Sequence, residues 1–549
     1  MELIEHHQQQ VLEAFRRGEF DQIEIIGPAD EKQFFELCWQ EKILAALAKE
    51  MPTARKKEEV PLWFQLAANL SLKLHLENSY AAFERVVRCG GLLSALDPAI
   101  ASKHLDKESQ QWVIECQGFN DKNHYDRTTP CDQDTLRKAV KDVEAERWMD
   151  WFNGAGQEVF QSYGFFDPSG IFIGDGSYLF VPDNPAYEGS VVMWFNEHNH
   201  PVNYEELTPE ERKKAHRERC YKLVSLLHLR GACFVYAAVK VVPGNAHEGP
   251  VLYELVEQFV QRVGQGVMKR LILDRGFIDG KNISRCKTEW GIDVLIPMKK
   301  KMDIWKDAWA LGQRAAWQTL TPPKPEPKKI PENRPPAIIQ REAKRQETLA
   351  KRKAQEPPPD PAKVLKGTEV CPIEGFKSWS ECTVPIQVVL IREIYADGHQ
   401  EQWALMDTAS VRDPVGTVEQ YGLRTRIEER HRILKCFYDL SDFHSRRFNV
   451  IAAQVVFILL SYTLRQWQLW KLQQEKLAGK TPGFLERELS AHSQFVVIYH
   501  EHAYAQLPVV SFTRELLEMA SEAQTKALIK VRRLEQTLLS PLVHLRAPP

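Results

Sequence analysis

The order of apolar segments between residues 170 and 300 constrains the fold of this chain more than any other feature. The first part of this region contains strand-like runs bounded by turn residues, at Ile171–Val181, Val191–Phe195, Leu223–Leu229 and Ala232–Val242. The dipeptide Arg230-Gly231 separates the last two runs. The pattern predicts an antiparallel meander.

The second part of the same region alternates helix and strand. An amphipathic helix is predicted over Val251–Val263, a short buried strand over Leu271–Leu273 and another strand over Ile292–Pro297. A change from antiparallel hairpins to helix–strand alternation indicates a mixed sheet with helices packed on it. The predicted fold class is therefore α/β.

Composition narrows the class of protein. Of the 549 residues, 43 % are hydrophobic and 27 % are charged, which is typical of globular proteins and excludes global disorder and collagen-like fibres. The 72 Lys and Arg residues are balanced by 74 Asp and Glu residues. Any nucleic-acid contact must therefore come from a local basic surface.

Residues 321–366 differ from the rest of the chain. They hold eleven of the 32 prolines, no glycine, and twelve Lys or Arg residues against six Asp or Glu residues. The composition predicts a stiff, exposed, basic linker with a short helix at Gln340–Gln355. It is either a solvated spacer or a spacer that also contacts DNA phosphates.

A hairpin follows, with Asp397-Gly398 between Ile386–Tyr395 and Gln402–Met406.

The longest apolar stretch, Val450–Leu464, has 15 residues and contains Gln454. A membrane span needs about 20 apolar residues, so we expect a buried core helix. The N-terminal sequence lacks the pattern of a signal peptide. These features predict a soluble cytoplasmic protein with no membrane partner.

The cysteines leave two interpretations. Cys116 and Cys131 flank a polar stretch that contains His124, which is compatible with a zinc site. The paired ligand spacing of zinc sites is missing, however, and free cytosolic thiols are the alternative.

Two aspartates have a notable sequence context. Asp175 lies inside an apolar strand, where a charge is costly unless it is paired or bound to a metal. Asp274 ends a short apolar strand and precedes Arg275-Gly276-Phe277. Carboxylates on neighbouring strands can converge on a divalent cation, although a strand-end Asp also serves as a turn or cap residue.

A third acidic residue, Glu428, belongs to a spaced set with Tyr421, Arg424 and Lys435. At about 100° per residue, all four fall within an arc of about 60° on one helix, and Glu429 falls outside it. The alternative is a solvated salt bridge, because Arg424 and Glu428 are four residues apart.

The spacing Tyr-x2-Arg-x3-Glu-x6-Lys resembles the signature of bacterial insertion-sequence DDE transposases of the IS-four group. Asp274-Arg275-Gly276-Phe277 resembles the second motif of that family, and Asp175-Gly176-Ser177 resembles the first. The three motifs occur in the family's order, and the resemblance covers about residues 165–475.

The resemblance implies a ribonuclease H-like core with the first Asp on strand one, the second after strand four and the Glu on a later helix. The catalytic domain would begin at residues 165–300 and be completed by residues 416–475. Residues 301–415 would form a mainly β insertion that includes the linker and the hairpin. A helical N-terminal domain is expected at residues 1–160, with DNA binding as one open role, and a helical tail at residues 476–549.

The resemblance also implies metal-dependent strand cleavage and strand transfer at the ends of an insertion sequence. Asp175, Asp274 and Glu428 would bind two Mg²⁺ or Mn²⁺ ions, which carboxylate oxygens suit. Tyr421, Arg424 and Lys435 would hold the DNA end. The implied partners are double-stranded DNA, both element ends and target, and a second copy of the chain in a homodimer on DNA. The implied location is the bacterial cytoplasm, on the nucleoid when DNA is bound.

Relatives stack a flipped base on a Trp in the β insertion, and the candidates are Trp379 and Trp403, with a core role as the alternative. His247-Glu248 is either a polar pair near the metals or a helix cap. Two other classes stay open for the whole chain: a domesticated or inactive DNA-binding relative, and a ribonuclease H-like nuclease without strand transfer.

Overall fold

The computed structural model describes residues 5–26, 29–57, 59–88, 91–93, 96, 100–105, 112–119, 129–320, 360–376, 379–491, 495–519 and 521–525. The chain divides into two compact units. The terminal unit comprises Met1–Gly170, Gly176–Val267 and Glu428–Pro549. The central unit comprises Ile171–Asp175 and Met268–Ile427.

The described α-helices are Gln8–Arg16, Ala29–Gln40, Ile43–Ala48, Leu62–Leu74, Phe83–Arg88, Gln133–Lys141, Ala145–Trp151, Gln157–Ser162, Pro209–Lys214, Glu248–Val263, Gly280–Trp290, Asp303–Gly312, Pro414–Gly422, Thr425–Phe437, Phe448–Lys471, Pro482–Ala491 and Val509–Glu518. The described strands are β1 (Glu5–His6), β2 (Gln22–Ile26), β3 (Ala101–Leu105), β4 (Trp112–Cys116), β5 (Ile171–Val181), β6 (Val191–Phe195), β7 (His216–Arg230), β8 (Cys233–Pro243), β9 (Arg270–Ile272), β10 (Asp293–Pro297), β11 (Gln318–Leu320), β12 (Leu365–Phe376), β13 (Ile386–Tyr395), β14 (Gln400–Asp407), β15 (Phe495–His500) and β16 (Ala503–Pro508).

The predicted meander is only partly correct, because β7 lies between β5 and β6 in the sheet order, so β5 and β6 are not neighbours. Strand β6 pairs with β7, and β7 pairs with β8, both antiparallel. Arg230 and Cys233 form the last pair of the β7–β8 hairpin. Gly231 in its turn has a φ of 57°, a left-handed conformation that glycine adopts without steric strain. The sequence pattern therefore located this hairpin correctly.

The predicted alternation of helix and strand is also present. Along the chain, helix Glu248–Val263 precedes β9, and helix Gly280–Trp290 connects β9 to β10. In the central unit, β9 is parallel to the first residues of β5 on one side and to β10 on the other. Parallel strands joined by helices and antiparallel hairpins together make a mixed sheet flanked by helices, so the predicted α/β class is confirmed.

The insertion contains more strand than was predicted. The hairpin of β13 and β14 is confirmed, and Gly398 in its turn has a φ of 91°. Strand β12 pairs with β13, and β14 pairs with β10, both antiparallel. The predicted linker lies outside the described residues up to residue 359, as does its predicted helix. Its last residues differ from the prediction, since β12 already begins at Leu365.

Helix Phe448–Lys471 is the core helix of the terminal unit. Among the described residues it alone is long and apolar enough to cross a membrane, with a mean hydropathy of 1.5 in its best window. Within the structure, however, 89 % of that window is buried inside the protein. The helix packs against β8 and against helices Leu62–Leu74 and Ala145–Trp151. This burial agrees with the predicted core helix.

The two ends of the described chain meet in one small sheet, ordered β1-β16-β15-β2. Strand β15 pairs antiparallel with β16 and with β2. Helices Gln8–Arg16 and Val509–Glu518 pack on this sheet through buried apolar residues such as Phe15, Ile498 and Phe512. The expectation of a purely helical tail at residues 476–549 is therefore wrong, and the N-terminal region contains strands as well as helices.

Candidate active site

Strand register gives the first two predicted carboxylates equivalent positions in the central unit. Strands β5 and β9 are parallel neighbours whose paired residues differ by 99 in number: Ile171 with Arg270, Phe172 with Leu271 and Ile173 with Ile272. Continued by two residues, the same register places Asp175 opposite Asp274. Neighbouring strands lie about 4.8 Å apart, so this register predicts that the two carboxylates lie side by side.

The backbone at Asp274 supports this placement. Its φ of −84° and ψ of 159° are still extended, although the paired strand has ended at Ile272. Side chains alternate along an extended chain, so Asp175 and Asp274 share the face of Ile173 and Ile272. Both aspartates are half-buried.

The chain turns away immediately after Asp274. The carbonyl of Asp274 accepts a hydrogen bond of 3.0 Å from the backbone N–H of Phe277. Residues Leu271, Ile272 and Leu273 are fully buried, and Phe277 is buried on the far side of the turn. The Asp274 carboxylate therefore belongs to a short segment with buried residues on both sides.

The residue that follows Asp175 lies close to a glutamate side chain. A Cβ at Gly176 would collide with the carboxylate of Glu248 in the terminal unit. That carboxylate lies 3.6 Å from the ammonium of the buried Lys222, which also donates to the carbonyl of Ala246 at 2.9 Å. Glu248 thus forms an ion pair with a lysine next to the first motif. The sequence pattern did not predict this contact.

His247 acts as the cap that the sequence offered as one of its two roles. Its Nδ1 accepts the backbone N–H of Gly249 at 3.3 Å, at the start of helix Glu248–Val263. This satisfies one of the free donors at the first turn of the helix.

Tyr421 lies close to Asp274 within the central unit. Burial raises the pKa of the Tyr421 phenol, Arg424 lowers it by charge and by a hydrogen bond, and Asp274 raises it. The net effect is a raised pKa, so the phenol keeps its proton at neutral pH. Tyr421 therefore lies near Asp274, and Arg424 contacts Tyr421.

The four signature residues do not lie on one uninterrupted helix. Tyr421 is near the end of helix Pro414–Gly422, and Arg424 lies in the turn before helix Thr425–Phe437. At this junction the backbone N–H of Arg424 and Ile427 each bond to the third carbonyl back, at 2.9 and 3.0 Å. Such bonds tighten the turn, so a constant 100° per residue does not extend across it. The predicted single stripe, and continuous helix from Val418, are corrected here.

Within helix Thr425–Phe437 the predicted phase holds for Glu428 and Lys435, which are seven residues and about two turns apart. Glu428 is exposed and Lys435 is half-buried, whereas Ile427, Arg430 and His431 are buried. Glu429 pairs with Arg432 at 2.7 Å, and this ion pair lowers the pKa of the Glu429 carboxyl. Glu429 therefore forms a salt bridge within this helix, and Glu428 lies at its exposed surface.

Of the two predicted tryptophans, Trp403 contacts a residue of the signature. Its ring centroid lies 6.1 Å from that of Tyr421, and its indole N–H donates to Glu393 at 3.1 Å. Trp379 lies in a turn closed by the 3.1 Å bond from Cys382 N–H to its carbonyl. Both are half-buried, but Trp403 lies beside Tyr421, which itself lies beside Asp274.

A buried ion pair that the sequence did not reveal links these elements. Arg270, at the start of β9, forms a two-pronged pair with Asp407 at the end of β14, with both contacts at 2.5 Å. The side chains are 11 % and 2 % exposed. Arg270 also donates to Gln420 at 2.8 Å, next to Tyr421. Through its contacts with Asp407 and Gln420, Arg270 therefore connects the strand that leads to Asp274 with β14 and with the helix that carries Tyr421.

The zinc alternative stays a prediction, because Cys116 and Cys131 are buried but His124 lies outside the described residues. Across the described parts of the chain, three or more His, Cys, Asp or Glu side chains nowhere form a cluster that could hold a metal ion by itself. Metal binding by Asp175, Asp274 and Glu428 therefore also stays a prediction.

Comparisons with known proteins bear on this site. Residues 198–464 match a family model described as "Transposase DDE domain". The match contains Asp274, Tyr421, Arg424, Glu428 and Lys435, and it begins after Asp175. A search of curated proteins gives no match.

Among solved structures, the chain is similar to that of a piggyBac transposase in a cryo-EM synaptic complex with hairpin DNA. The identity is 11 %, the TM-score is 0.34, and the alignment covers 91 % of this chain and 85 % of the other. The family match is the stronger finding. Over residues 198–464 the chain matches the transposase DDE domain family, which supports a DNA transposase as its class.

Proposed function

We propose that this protein is a transposase of the insertion-sequence type, which cleaves DNA at the ends of its element and transfers the cut strands. One observation carries the proposal: β5 and β9 are parallel neighbours, and their register, continued by two residues, would bring together Asp175 and Asp274 of the first two motifs. The family match over residues 198–464 supports the same class.

The donor set fits divalent metal ions. Two carboxylates, one within β5 and one just after β9, offer the hard oxygen ligands that Mg²⁺ and Mn²⁺ prefer. Two carboxylates alone leave such an ion short of protein ligands, so we assign Glu428 as the third. When bound, two such ions would activate the attacking hydroxyl and stabilise the leaving oxygen at a phosphodiester.

The other signature residues would position the DNA end. Tyr421 keeps its phenolic proton and can donate it to a phosphate oxygen, and Arg424 beside it can bind phosphate with two donors. Lys435 shares a face of its helix with Glu428 and would hold a second phosphate. Trp403, 6.1 Å from the Tyr421 ring, is the better placed platform for a flipped base.

The wider setting follows from this chemistry. The partners would be double-stranded DNA, at the element ends and at the target, and a second copy of this chain, because two ends must be cut together. We place the protein in the bacterial cytoplasm, on the nucleoid when it binds DNA, with no membrane partner.

The test uses the purified chain and duplexes taken from the DNA that flanks its reading frame. With Mg²⁺ or Mn²⁺, the wild-type protein should nick at the boundary of an inverted repeat and join the 3′ end to a target plasmid. Asp175→Asn should abolish both reactions and keep DNA-end binding. Asp183→Asn, at an exposed aspartate paired with Arg219 at 3.1 Å, is the matched control.

Other outcomes separate the alternative classes. Cleavage without joining would indicate a nuclease of the same fold. Specific binding without cleavage under any divalent metal would indicate an inactive relative. Neither binding nor cleavage of the flanking DNA would overturn the proposal.

A further inference from the structure

A solvent-open cleft of about 390 Å³ lies within the terminal unit. One wall is formed by helix Gln133–Lys141 and the segment 78–81. The other wall is formed by residues 444–447 and the first turn of helix Phe448–Lys471. None of the predicted site residues lines it.

The charges around the cleft are mainly positive. Arg137, Lys141 and Arg447 line it together with His444, and Asp134 is the one acidic residue in the lining. Lys141 has no ion-pair partner in the described part of the chain. The cleft therefore favours an anionic ligand.

Both arginines of the cleft can exchange their carboxylate partner for a phosphate. Arg137 pairs with Asp134 at 3.0 Å, and Arg447 approaches Glu188 at 3.7 Å. All four side chains are about half exposed, so these ion pairs contribute little to stability. A phosphate can replace the carboxylates at small cost, and guanidinium groups bind it through two parallel donors.

The inner end of the cleft is held in place by hydrogen bonds. The Asn78 amide donates to the carbonyls of Asp439 and Asp442, at 2.9 and 3.1 Å, and Gln454 donates to Asp442 at 2.8 Å. Buried Lys73 donates to the Asn78 side-chain oxygen at 2.6 Å. These hydrogen bonds hold residues 439–442, which lead into the segment with His444 and Arg447, against Asn78 and Gln454.

The cleft lies next in sequence to the helix that carries Glu428. From Glu428 to the helix end at Phe437 is a rise of about 14 Å at 1.5 Å per residue. Duplex DNA rises about 3.4 Å per base pair, so this length corresponds to roughly four base pairs. A phosphate held beyond the end of this helix would lie several base pairs from a strand cut beside Glu428.

We propose that this cleft binds a backbone phosphate of duplex DNA, apart from the residues proposed to cut it. The inference rests on the proposed function for DNA as the ligand. The ligand chemistry rests on the cleft itself: two arginines, an unpaired lysine and the hydroxyls of Ser79 and Ser445. Such contacts position DNA and do not read its sequence.

The experiment measures the salt dependence of DNA binding by the full chain carrying Asp274→Asn, which should prevent cutting during the assay. Arg137→Ala/Lys141→Ala should reduce the slope of log affinity against log salt by about 0.9 per lost phosphate contact. Lys141→Ala alone changes one exposed side chain and provides a second variant that should fold normally. Lys138→Ala is the matched control, because Lys138 lies on the same helix and does not line the cleft.

An unchanged slope in both cleft variants, or an equal decrease in Lys138→Ala, would overturn the proposal. Loss of fluorescent ADP binding in the double variant with an unchanged DNA slope would assign the cleft to a free nucleotide and would also overturn it. The slope can be measured on any duplex, since phosphate contacts are sequence-independent. Failure to cut or join element ends would therefore contradict the proposed function and leave this measurement valid.

Discussion

The two aspartates and the glutamate of the candidate site are held by different kinds of structure. Asp175 lies within β5 and Asp274 follows β9, and three paired residues set the register of these two parallel strands. Glu428 lies on a helix whose connection to the preceding helix is a tight turn at Leu423 and Arg424. The strand register predicts the alignment of the aspartates from pairs two residues away, whereas helical phase is lost at a single turn.

The largest effect on cleavage is expected when an aspartate positioned by the sheet is removed. Asp274→Ala should abolish Mg²⁺-dependent cleavage, because it removes an oxygen ligand that no neighbouring strand replaces, while DNA-end binding persists. Mn²⁺ titration by calorimetry should show lost metal affinity without requiring activity.

Asp303→Asn is the control for this variant, because the Asp303 side chain is 93 % exposed in the same unit. It should keep both metal affinity and cleavage. Normal cleavage by Asp274→Ala would contradict the assignment of the second motif.

The second prediction tests the glutamate held by the helix. Glu428→Gln keeps the size of the side chain and removes its charge, so cleavage should be lost. End binding should stay the same or become slightly tighter, because repulsion of the phosphates is reduced. Electrophoretic mobility shift and nicking assays on the same duplex measure both effects.

Glu429→Gln is the matched variant on the same helix. It breaks the exposed pair with Arg432 and should leave cleavage and binding nearly unchanged. If Glu429→Gln stopped cleavage and Glu428→Gln did not, the helical phase and the family signature would both be misassigned.

Local patterns predicted the elements near the site well. Apolar runs and turn residues gave β5, β8, β13 and β14 to within about two residues, since their signals are local, whereas β7 begins seven residues before its predicted start at Leu223. The Asp motifs were recognisable because a charge at the end of an apolar strand is unusual.

Long-range pairings were not predictable in the same way. Strand β15 pairs with β2, and Arg270 pairs with Asp407, 137 residues away. Neither relation leaves a periodic pattern in one sequence. The break at Leu423 was missed because the segment contains no Pro, and Gly422 alone is tolerated in a helical pattern.

The third prediction concerns the contribution of the buried Arg270–Asp407 ion pair to stability. Asp407→Asn should destabilise the protein by roughly 3–5 kcal/mol, because Arg270 keeps its charge in a buried site without its partner. Urea unfolding measures the change. Arg270→Met/Asp407→Leu should recover most of the loss.

Lys287→Ala is the control for a more exposed pair of the central unit. Its partner Asp293 lies 2.6 Å away, and the two side chains are 38 % and 24 % exposed. We expect a change of about 1 kcal/mol or less. An equal effect of Asp407→Asn would mean that the buried pair does not stabilise the junction.

The fourth prediction separates the two tryptophans. Trp403→Ala should reduce cleavage of end DNA by about 5- to 150-fold, because base–aromatic stacking contributes roughly 1–3 kcal/mol. Trp379→Ala, without the Tyr421 contact, should have a smaller effect. A duplex that lacks the base at the flipped position should reduce the difference between Trp403→Ala and wild type, and an unchanged difference would argue against stacking.

The smallest expected effect is at Lys435, about two helical turns beyond Glu428. Lys435→Ala removes one phosphate contact, so the slope of log affinity against log salt should decrease by about 0.9 on duplex DNA. Cleavage at saturating protein should be nearly normal, since Lys435 carries no metal ligand. Arg432→Ala removes a positive charge from the exposed side of the same helix, where Arg432 is paired with Glu429, and should change the slope less. A loss of cleavage at saturation in Lys435→Ala would place this lysine at the reacting phosphate, and the helix would then contribute two residues to the chemistry instead of one.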